Sequence, residues 1–318
     1  MKKWMMFLVL TFVLVLAACG DDSETNSSSG GATGDGKDLK VGLSMNTLNN
    51  SFFVAVKEGA EDAAKEQGIN LVVTDAQNDP GKQISDVENL IQQNVDILII
   101  DPADSDAIAQ GVKKANEADI PVFTIDRESN GGEVLTHIGF DAIKSGEIAG
   151  NFIKETLGGS GKVVEIQGIL GTNVGQLRSE GFNNIIEAEA GLELIAQQSG
   201  NFDRGEAMKV MEDILQAHPQ IDAVYAANDE MALGALAAIE AAGRLDEIVV
   251  IGCDAIDQTL EAIRAGKMEA TIAEPPYFLG KEAIKIALEI ADGTSPESSI
   301  ILDSNLVTAD NVDDIKTR

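Results

Sequence analysis

Residues 39–74 read LKVGLSMNTLNNSFFVAVKEGAEDAAKEQGINLVVT, a run in which two short apolar segments flank an amphipathic one. The middle segment places Phe53, Val56 and Ala60 at helical spacing, and Gly68 supplies the residue type that commonly ends a helix. The outer segments are apolar with little alternation, as parallel strands covered on both faces require. This stretch therefore predicts a strand, a helix and a second parallel strand.

The same alternation continues along the rest of the chain, where further helices are predicted over 203–217 and 229–242. The predicted strands are 39–44, 70–74, 97–100, 121–125, 162–166, 223–226, 248–251 and 270–272. Strands and helices in alternation predict a doubly wound α/β architecture with parallel sheets. About ten strands would be many for a single open sheet, so we expect two sheets in two lobes.

The amino terminus is predicted to be a lipoprotein signal peptide, residues 1–18. Two lysines precede an apolar run that falls short of the about 20 residues a membrane span needs, but that suits a signal sequence. Residues 16–19, LAAC, resemble a bacterial lipobox, in which the sulfur of Cys19 receives a diacylglycerol. The alternative is an ordinary secretory signal with an incidental cysteine. Residues 19–38 are rich in Ser, Gly, Asp and Thr, which predicts a flexible tether after the lipidated cysteine.

Composition excludes several classes of function. The 318 residues include 53 acidic and 23 basic ones, for a formal net charge of −30. Such a chain repels phosphate backbones, which excludes a nucleic-acid-binding surface as the main function. Two cysteines and two histidines provide neither a disulfide framework nor the usual zinc cluster, and Cys253 is expected to be a free thiol. The sequence contains no GxxxxGK[ST], GxGxxG or GxSxG motif, and we expect no cofactor and no metal.

Polar side chains follow several of the predicted strands. In doubly wound sheets, ligands bind beyond the carboxyl ends of the strands. The residues at these ends are Asn50, Asp126, Arg127, Asn228, Asp254 and Glu274, with Phe52 and Phe53 beside the first of them. Carboxylate, amide and guanidinium groups bond to hydroxyls in fixed directions, and aromatic rings pack on the apolar faces of a sugar ring. The combination indicates a small neutral polyol rather than an anion.

Catalytic alternatives have weaker support. His137 and His218 lie near the ends of a predicted strand and a predicted helix, without an evident nucleophile to activate. A pair of carboxylates for glycoside hydrolysis could be drawn from Asp126, Asp254 and Glu274. Arg127 next to Asp126 favours hydroxyl binding over acid catalysis, so we expect no enzymatic activity.

Six motifs resemble the ribose-binding branch of the type I sugar-binding lipoproteins of ABC importers. The branch carries STLNNPFF, DxQN and NPTDSDA where this chain has related residues, and the resemblance covers about residues 39–306. The motifs are SMNTLNNSFF at 44–53, DAQN at 75–78, DPADSDA at 101–107, IDR at 125–127, NFDR at 201–204 and NDEMALGA at 228–235.

The resemblance implies two lobes joined by three hinge strands, with a sugar enclosed when the lobes close. The first lobe would comprise about residues 39–140 and 275–303, and the second about 141–274 and 304–318.

The resemblance also implies a set of sugar contacts. Polar side chains would bond to sugar hydroxyls, and Phe52, Phe53 and Phe202 would sandwich the sugar ring. The implied positions are Asn50, Phe52, Phe53, Asp126, Arg127, Arg178, Phe202, Asn228 and Asp254.

Two further expected ligand-binding positions depart from the branch. Cys253 stands where the branch has Phe, and Glu274 where it has Gln; Asp101 also replaces an Asn. The smaller Cys253 side chain leaves free space where the branch has a phenyl ring. Glu274 replaces an amide, which both donates and accepts hydrogen bonds, by a carboxylate, which only accepts them when it is ionised. Sites built around hydrogen bonds to hydroxyl groups discriminate against a mismatched ligand by a factor of up to roughly 10⁴–10⁵. The sugar is therefore expected to be D-ribose or a related sugar, and the alternatives are a different pentose, a hexose or a pentitol.

The expected partners are the monosaccharide and the permease subunits of an ABC importer. The protein would be a monomer, held by lipid to the outer face of the bacterial cell membrane. A sugar sensor for a membrane receptor would share the same fold and site. A transcriptional repressor would need a DNA-binding segment where this chain has its signal and tether, and an enzyme would need an acid–base pair.

Overall fold

Two six-stranded sheets form the framework of the computed structural model, which describes residues 39–318. The predicted signal peptide, Cys19 and the tether lie outside the described residues. The strands are β1 Lys40–Met45, β2 Asn70–Asp75, β3 Ile97–Ile100, β4 Val122–Ile125, β5 His137–Phe140, β6 Gly161–Gln167, β7 Leu192–Ser199, β8 Ala223–Ala226, β9 Val249–Ile251, β10 Ala270–Ala273, β11 Ser299–Leu302 and β12 Asn305–Thr308.

Helices connect nearly all of these strands, and a short 3₁₀ turn, Val312–Asp314, follows the last strand. The helices are α1 Ser51–Gln67, α2 Pro80–Gln92, α3 Ala109–Glu117, α4 Ala142–Thr156, α5 Asn173–Ala188, α6 Arg204–Ala217, α7 Asp229–Ala241, α8 Asp257–Arg264 and α9 Pro276–Ala291. None of these nine helices of residues 39–318 has the length and the apolar character that a membrane crossing needs.

The sheets have closely related strand orders. The first is β11-β5-β4-β3-β1-β2 and the second is β12-β10-β9-β8-β6-β7. All pairings in the first sheet are parallel, and in the second only β12 runs antiparallel, to β10. The expected doubly wound α/β class with two parallel sheets is therefore confirmed.

Each sheet has its own core. The strand β3, ILII, is buried along its whole length, as are β4, β8 and β10. A continuous apolar core covers the second sheet, and two smaller ones cover the two faces of the first. This burial on both faces explains why these strands are apolar without alternation.

Glycines let two helix pairs approach closely. A Cβ at Gly280 of α9 would overlap the carbonyl oxygen of Val56 in α1, and a Cβ at Gly181 of α5 would overlap that of Ile143 in α4. The first of these contacts joins α1 and α9, although more than 200 residues separate the two helices in sequence.

The chain crosses between the two sheets three times. The crossings lie between β5 and α4, between β10 and α9, and between β11 and β12. We call residues 40–140 with 276–302 the first lobe, and residues 142–273 with 305–318 the second lobe. The boundaries expected at about 140, 274 and 303 stay a prediction.

Candidate functional site

Two asparagines at helix starts illustrate how the sequence places polar groups at the sheet edges. Asn50 caps α1, and its Oδ1 accepts a hydrogen bond from the Phe52 amide at 2.9 Å. Asn228 caps α7, and its Oδ1 accepts from the Met231 amide at 3.0 Å. Each side chain satisfies an amide that the helix leaves unpaired. Each cap also lies in the segment that follows a strand, β1 or β8, and lines the cavity described next.

A cavity lies between the lobes. It is lined by Asn50, Phe52, Phe53, Asp126, Arg127, Val174, Arg178, Phe202, Asn228 and Asp254. The structure thus brings together nine of the eleven positions expected from the sequence, five from the first lobe and four from the second. Val174 was not expected; it precedes Arg178 by four residues in α5, and that helical spacing is the signal that would have revealed it.

Arg127 lies between two aromatic rings in this cavity. Its Cζ is 5.2 Å from the centroid of Phe53 and 5.4 Å from that of Phe202. These distances fall within the range of cation–π contacts. Arg127 also donates from Nη1 to the carbonyl oxygen of Pro102 at 3.1 Å. The aromatic rings therefore hold a guanidinium in place, in addition to the role against a sugar ring that the sequence predicts.

Arg178 is the corresponding guanidinium of the second lobe. Its Nη1 donates to the Ala227 carbonyl oxygen at 2.6 Å, and its Nη2 lies 3.5 Å from Asp254 Oδ1 and donates to Glu274 Oε2. The Nε atoms of both Arg127 and Arg178 have no hydrogen-bond partner among the described residues. Each of these two arginines, which line the cavity, therefore keeps one N–H group without an acceptor in residues 39–318.

Glu274 and Cys253, the other two expected positions, do not line the cavity. Glu274 is 1 % exposed, and its carboxylate faces Arg178, Ser145 and Ser304. Cys253 is a free thiol that is fully buried in the core of the second lobe. Asp254 lines the cavity, whereas its neighbour Cys253 does not.

Cys253, Asp254 and Glu274 lie close enough together to suggest metal ligands, since a ligand atom of each lies within 4.8 Å of the others. The guanidinium of Arg178 already contacts both carboxylates. The guanidinium of Arg178 thus already supplies the positive charge that would otherwise come from a metal ion. We therefore interpret the group as the support of Arg178.

Burial dominates the electrostatics of the cavity. It raises the pKa of Asp126, although Arg127 and Arg178 oppose the shift. It raises the pKa of Asp254 well above its usual range, again against Arg178. Beneath the cavity, burial likewise raises the pKa of Asp101, whose two carboxylate oxygens have no hydrogen-bond partner in residues 39–318. Ligand hydroxyls that donate to Asp126 and Asp254 would stabilise their ionised forms.

Three cavity residues occupy the left-handed region of backbone space. The φ angles are 56° at Asp126, 56° at Phe202 and 129° at Asp254. Non-glycine residues adopt such conformations at a cost, and they concentrate at functional sites. Phe202 also packs against Gly168, where a Cβ would overlap its ring. The local backbone is thus bent to present these side chains.

The histidines are not part of the cavity wall. His137 lies in β5, its Nδ1 is 3.0 Å from Thr124 Oγ1, and burial lowers its pKa to about 4. It is therefore neutral at neutral pH and is satisfied within the sheet. His218 follows α6 as its C-terminal cap residue.

Comparisons with known proteins agree with this geometry. The family model described as "Periplasmic binding protein domain" matches residues 41–295. The ribose import binding protein RbsB of Bacillus subtilis (strain 168) is 43 % identical over 300 residues, which are 94 % of this chain and 97 % of that protein. The protein of the same name from Escherichia coli (strain K12) is 42 % identical over 267 residues, 84 % of this chain and 90 % of its own.

Solved structures give the same picture. An ABC transporter solute binding protein from Bacillus halodurans C-125 with bound myo-inositol superposes with a TM-score of 0.84 at 34 % identity, covering 89 % of this chain and 98 % of its own. A periplasmic solute binding protein from Actinobacillus succinogenes 130z with bound D-allose gives 0.82 at 30 % identity, covering 87 % and 100 %.

Proposed function

Because the chain belongs to the family of periplasmic binding protein domains, we propose that it captures D-ribose, or a closely related monosaccharide, and delivers it to the permease of an ABC importer. The protein is a sugar-binding component of an ABC transporter. The single observation that carries the choice of site is the cavity between the lobes. It is walled by the amides, carboxylates, guanidiniums and phenyl rings that a sugar requires.

The charges of the cavity wall and the nearest relatives among those compared support a monosaccharide. Two guanidiniums, Arg127 and Arg178, balance two carboxylates, Asp126 and Asp254, which favours a neutral ligand. The two ribose import binding proteins compared above are 43 % and 42 % identical, whereas the structures with bound myo-inositol and D-allose compared above are 34 % and 30 % identical. Ribose is therefore the first choice.

Closure of the lobes is the proposed mechanism. Hydrogen bonds already join the lobes on two sides of the cavity: Ser51 Oγ donates to Glu230 Oε1 at 2.6 Å, and the Ser105 amide donates to the Gly171 carbonyl at 3.2 Å. Asn50 Nδ2 also donates to the Phe202 carbonyl at 3.3 Å. A sugar that contacts both lobes favours this closed form, and the three crossings would serve as the hinge.

We extend the proposal to the location of the protein. Its family acts outside the cytoplasm. The signal of residues 1–18 would direct export, Cys19 would carry the lipid, and residues 19–38 would act as the tether. A single lobe pair encloses the site, so we propose that the protein works as a monomer.

A thermal-shift assay tests the proposal. The protein beginning at Asp38 would be titrated with pentoses, hexoses and pentitols, using a dye or calorimetry because the only tryptophan is Trp4. A sugar at 100 times its Kd should add about 2.7 kcal/mol to the free energy of unfolding. A shift with D-ribose and small-angle scattering that shows compaction would support the proposal. If no sugar in the panel shifts the melting temperature, the proposed function is wrong.

A further inference from the structure

The short loop between β9 and α8 carries Asp254 to the cavity wall in a strained backbone conformation. Asp254 and Ala255 have φ angles of 129° and 60°, in a region that residues other than glycine seldom adopt. Such a conformation persists only where neighbouring contacts hold it in place. The backbone on both sides of these two residues therefore has to be fixed.

Asp229, the first residue of α7, bonds to this loop on both sides of the strained pair. Its N–H donates to the carbonyl oxygen of Cys253 at 2.7 Å, and its Oδ2 accepts from the N–H of Ile256 at 2.9 Å. Its Oδ1 accepts from Thr271 Oγ1 in β10 at 2.6 Å. One residue thus joins the residue before the pair to the residue after it, and the neighbouring strand fixes its carboxylate.

The surroundings of Asp229 are suited to a carboxylate. The residue is fully buried and does not line the cavity. A Cβ at Gly252 would overlap Asp229 Oδ1, so the glycine leaves the space that the carboxylate occupies. Burial raises the pKa of Asp229 to about 6, against the hydrogen bonds from Thr271 and Ile256. Above that pH the group is ionised, and both of its oxygens accept hydrogen bonds.

We propose that Asp229 is a positioning residue that holds residues 253–256 in the conformation in which Asp254 lines the cavity, and that it acts on the sugar only through Asp254. This inference rests on the proposed function, because it requires that Asp254 binds a sugar hydroxyl. The alternative is that Asp229 stabilises only the start of α7, where a carboxylate is favourable. That role would affect the stability of the protein but not its affinity for a sugar.

Calorimetric titration with D-ribose separates the two roles. Asp229→Ala should weaken binding roughly tenfold or more, since the Ile256 amide loses a charged acceptor. Asp229→Asn should bind within about threefold of the native protein, because its oxygen still accepts from Ile256 and its Nδ2 can donate to Thr271. Asp79→Ala removes the carboxylate that caps α2 in the first lobe, so it should lower the melting temperature and keep the affinity. Native affinity in Asp229→Ala would contradict the proposal.

A double-mutant cycle tests whether the effect passes through Asp254. In an Asp254→Ala background no carboxylate remains to be positioned, so Asp229→Ala should change the affinity by less than about threefold. Equal and additive losses in the two backgrounds would show that Asp229 acts on the site by another path, and the inference would be wrong.

Hydrogen exchange on the sugar-free protein tests the positioning itself. Asp229→Ala should speed exchange of the Ile256 amide about tenfold or more, whereas Asp229→Asn and Asp79→Ala should not. Should Asp229→Ala fail to fold, Gly252→Ala is the second variant, because its methyl group displaces the carboxylate without removing it. Gly252→Ala should likewise speed this exchange and weaken D-ribose binding.

Unchanged exchange at Ile256, or faster exchange together with native affinity, would overturn the inference. If no sugar in the panel binds, the proposed function is wrong, and the exchange rates still decide whether Asp229 holds the loop.

Discussion

Asn228 has both a structural role and a place in the cavity wall. It caps α7 through its Oδ1 and lines the cavity. A change that removes the cap costs stability, and a change that removes the amide costs sugar affinity. The two tasks can be separated because serine caps helices as well as asparagine does but lacks the amide group.

We expect Asn228→Ala to lower the free energy of unfolding by about 1 kcal/mol, and Asn228→Ser to lower it by much less. Both variants should bind sugar at least about tenfold more weakly, because each leaves a hydroxyl without its partner. Urea unfolding and calorimetric titration measure the two quantities. Native-like sugar binding by Asn228→Ser would show that the amide does not contact the ligand.

His137 gives the protein a pH-dependent term in its stability. Burial lowers its pKa to about 4, against about 6.5 in the unfolded chain. Between these values the unfolded state binds more protons than the folded state. The stability of the fold with a neutral His137 is therefore fully present above pH 6.5, and it is lost as the pH falls toward 4.

Relative to a His137→Asn variant, the native protein should lose about 3 kcal/mol of unfolding free energy between pH 7 and pH 4. The comparison with the variant removes the contributions of other groups, among them Asp229, whose pKa burial raises to about 6. Urea titrations of both proteins across this range provide the measurement. Parallel curves would mean that His137 titrates normally in the folded state.

The helix pair α1 and α9 depends on glycine at the point of contact. A Cβ at Gly280 would overlap the Val56 carbonyl oxygen, and backbone cannot move aside easily. In α3, by contrast, a Cβ at Gly111 would be 3.4 Å from Ile108 Cδ1, an ordinary contact. The two glycines therefore predict opposite outcomes for the same substitution.

Gly280→Ala should destabilise the protein by about 1–3 kcal/mol through overpacking. Gly111→Ala should be neutral or stabilise it by up to about 1 kcal/mol, since alanine is the better helix former. Thermal unfolding of both variants without sugar makes the comparison. A tolerated Gly280→Ala would mean that α9 can shift relative to α1.

Sequence reasoning predicted the interior strands well because their burial leaves a plain apolar run. All eight predicted strands are present, and their ends differ by no more than one residue. The missed strands lack that signal. β7, β11 and β12 are edge strands that mix exposed and partly buried residues, and β5 contains His137 and Gly139. Their pairing is set by the rest of the sheet rather than by their own composition.

The candidate site could be predicted as far as residue type and strand position determine it. Asp126 and Asp254 follow strands, and both line the cavity. Glu274 also follows a strand, but its carboxylate is taken by Arg178 and two serines from distant segments. No local pattern encodes those partners. Which residues bind the sugar stays a prediction until a ligand is measured.

At the scale of the whole molecule, the bonds that span the lobes should control how long a sugar stays bound. Ser51 in α1 and Glu230 in α7 belong to different lobes, so their hydrogen bond can form only when the lobes are close. It contributes to the closed form and not to an open one. Removing it should therefore favour opening without altering the cavity wall.

Ser51→Ala should weaken sugar binding about threefold to tenfold, mainly through faster dissociation. Ser85→Ala removes a hydroxyl that donates within α2, to the Gly81 carbonyl, and serves as the control. Stopped-flow displacement of bound sugar measures the dissociation rates. Equal rates for the two variants would show that the Ser51–Glu230 bond does not limit opening.

The three crossings between the lobes also determine how the genes of related proteins can be recombined. Each lobe is assembled from two separate stretches, and the edge strands β11 and β12 follow one another at the end of the chain. A single exchange point between two related genes would give at least one lobe of the chimera mixed parentage. Transplanting one intact lobe requires junctions at all three crossings at once. Shuffled libraries cut at these three places should therefore yield folded hybrids more often than libraries cut at random.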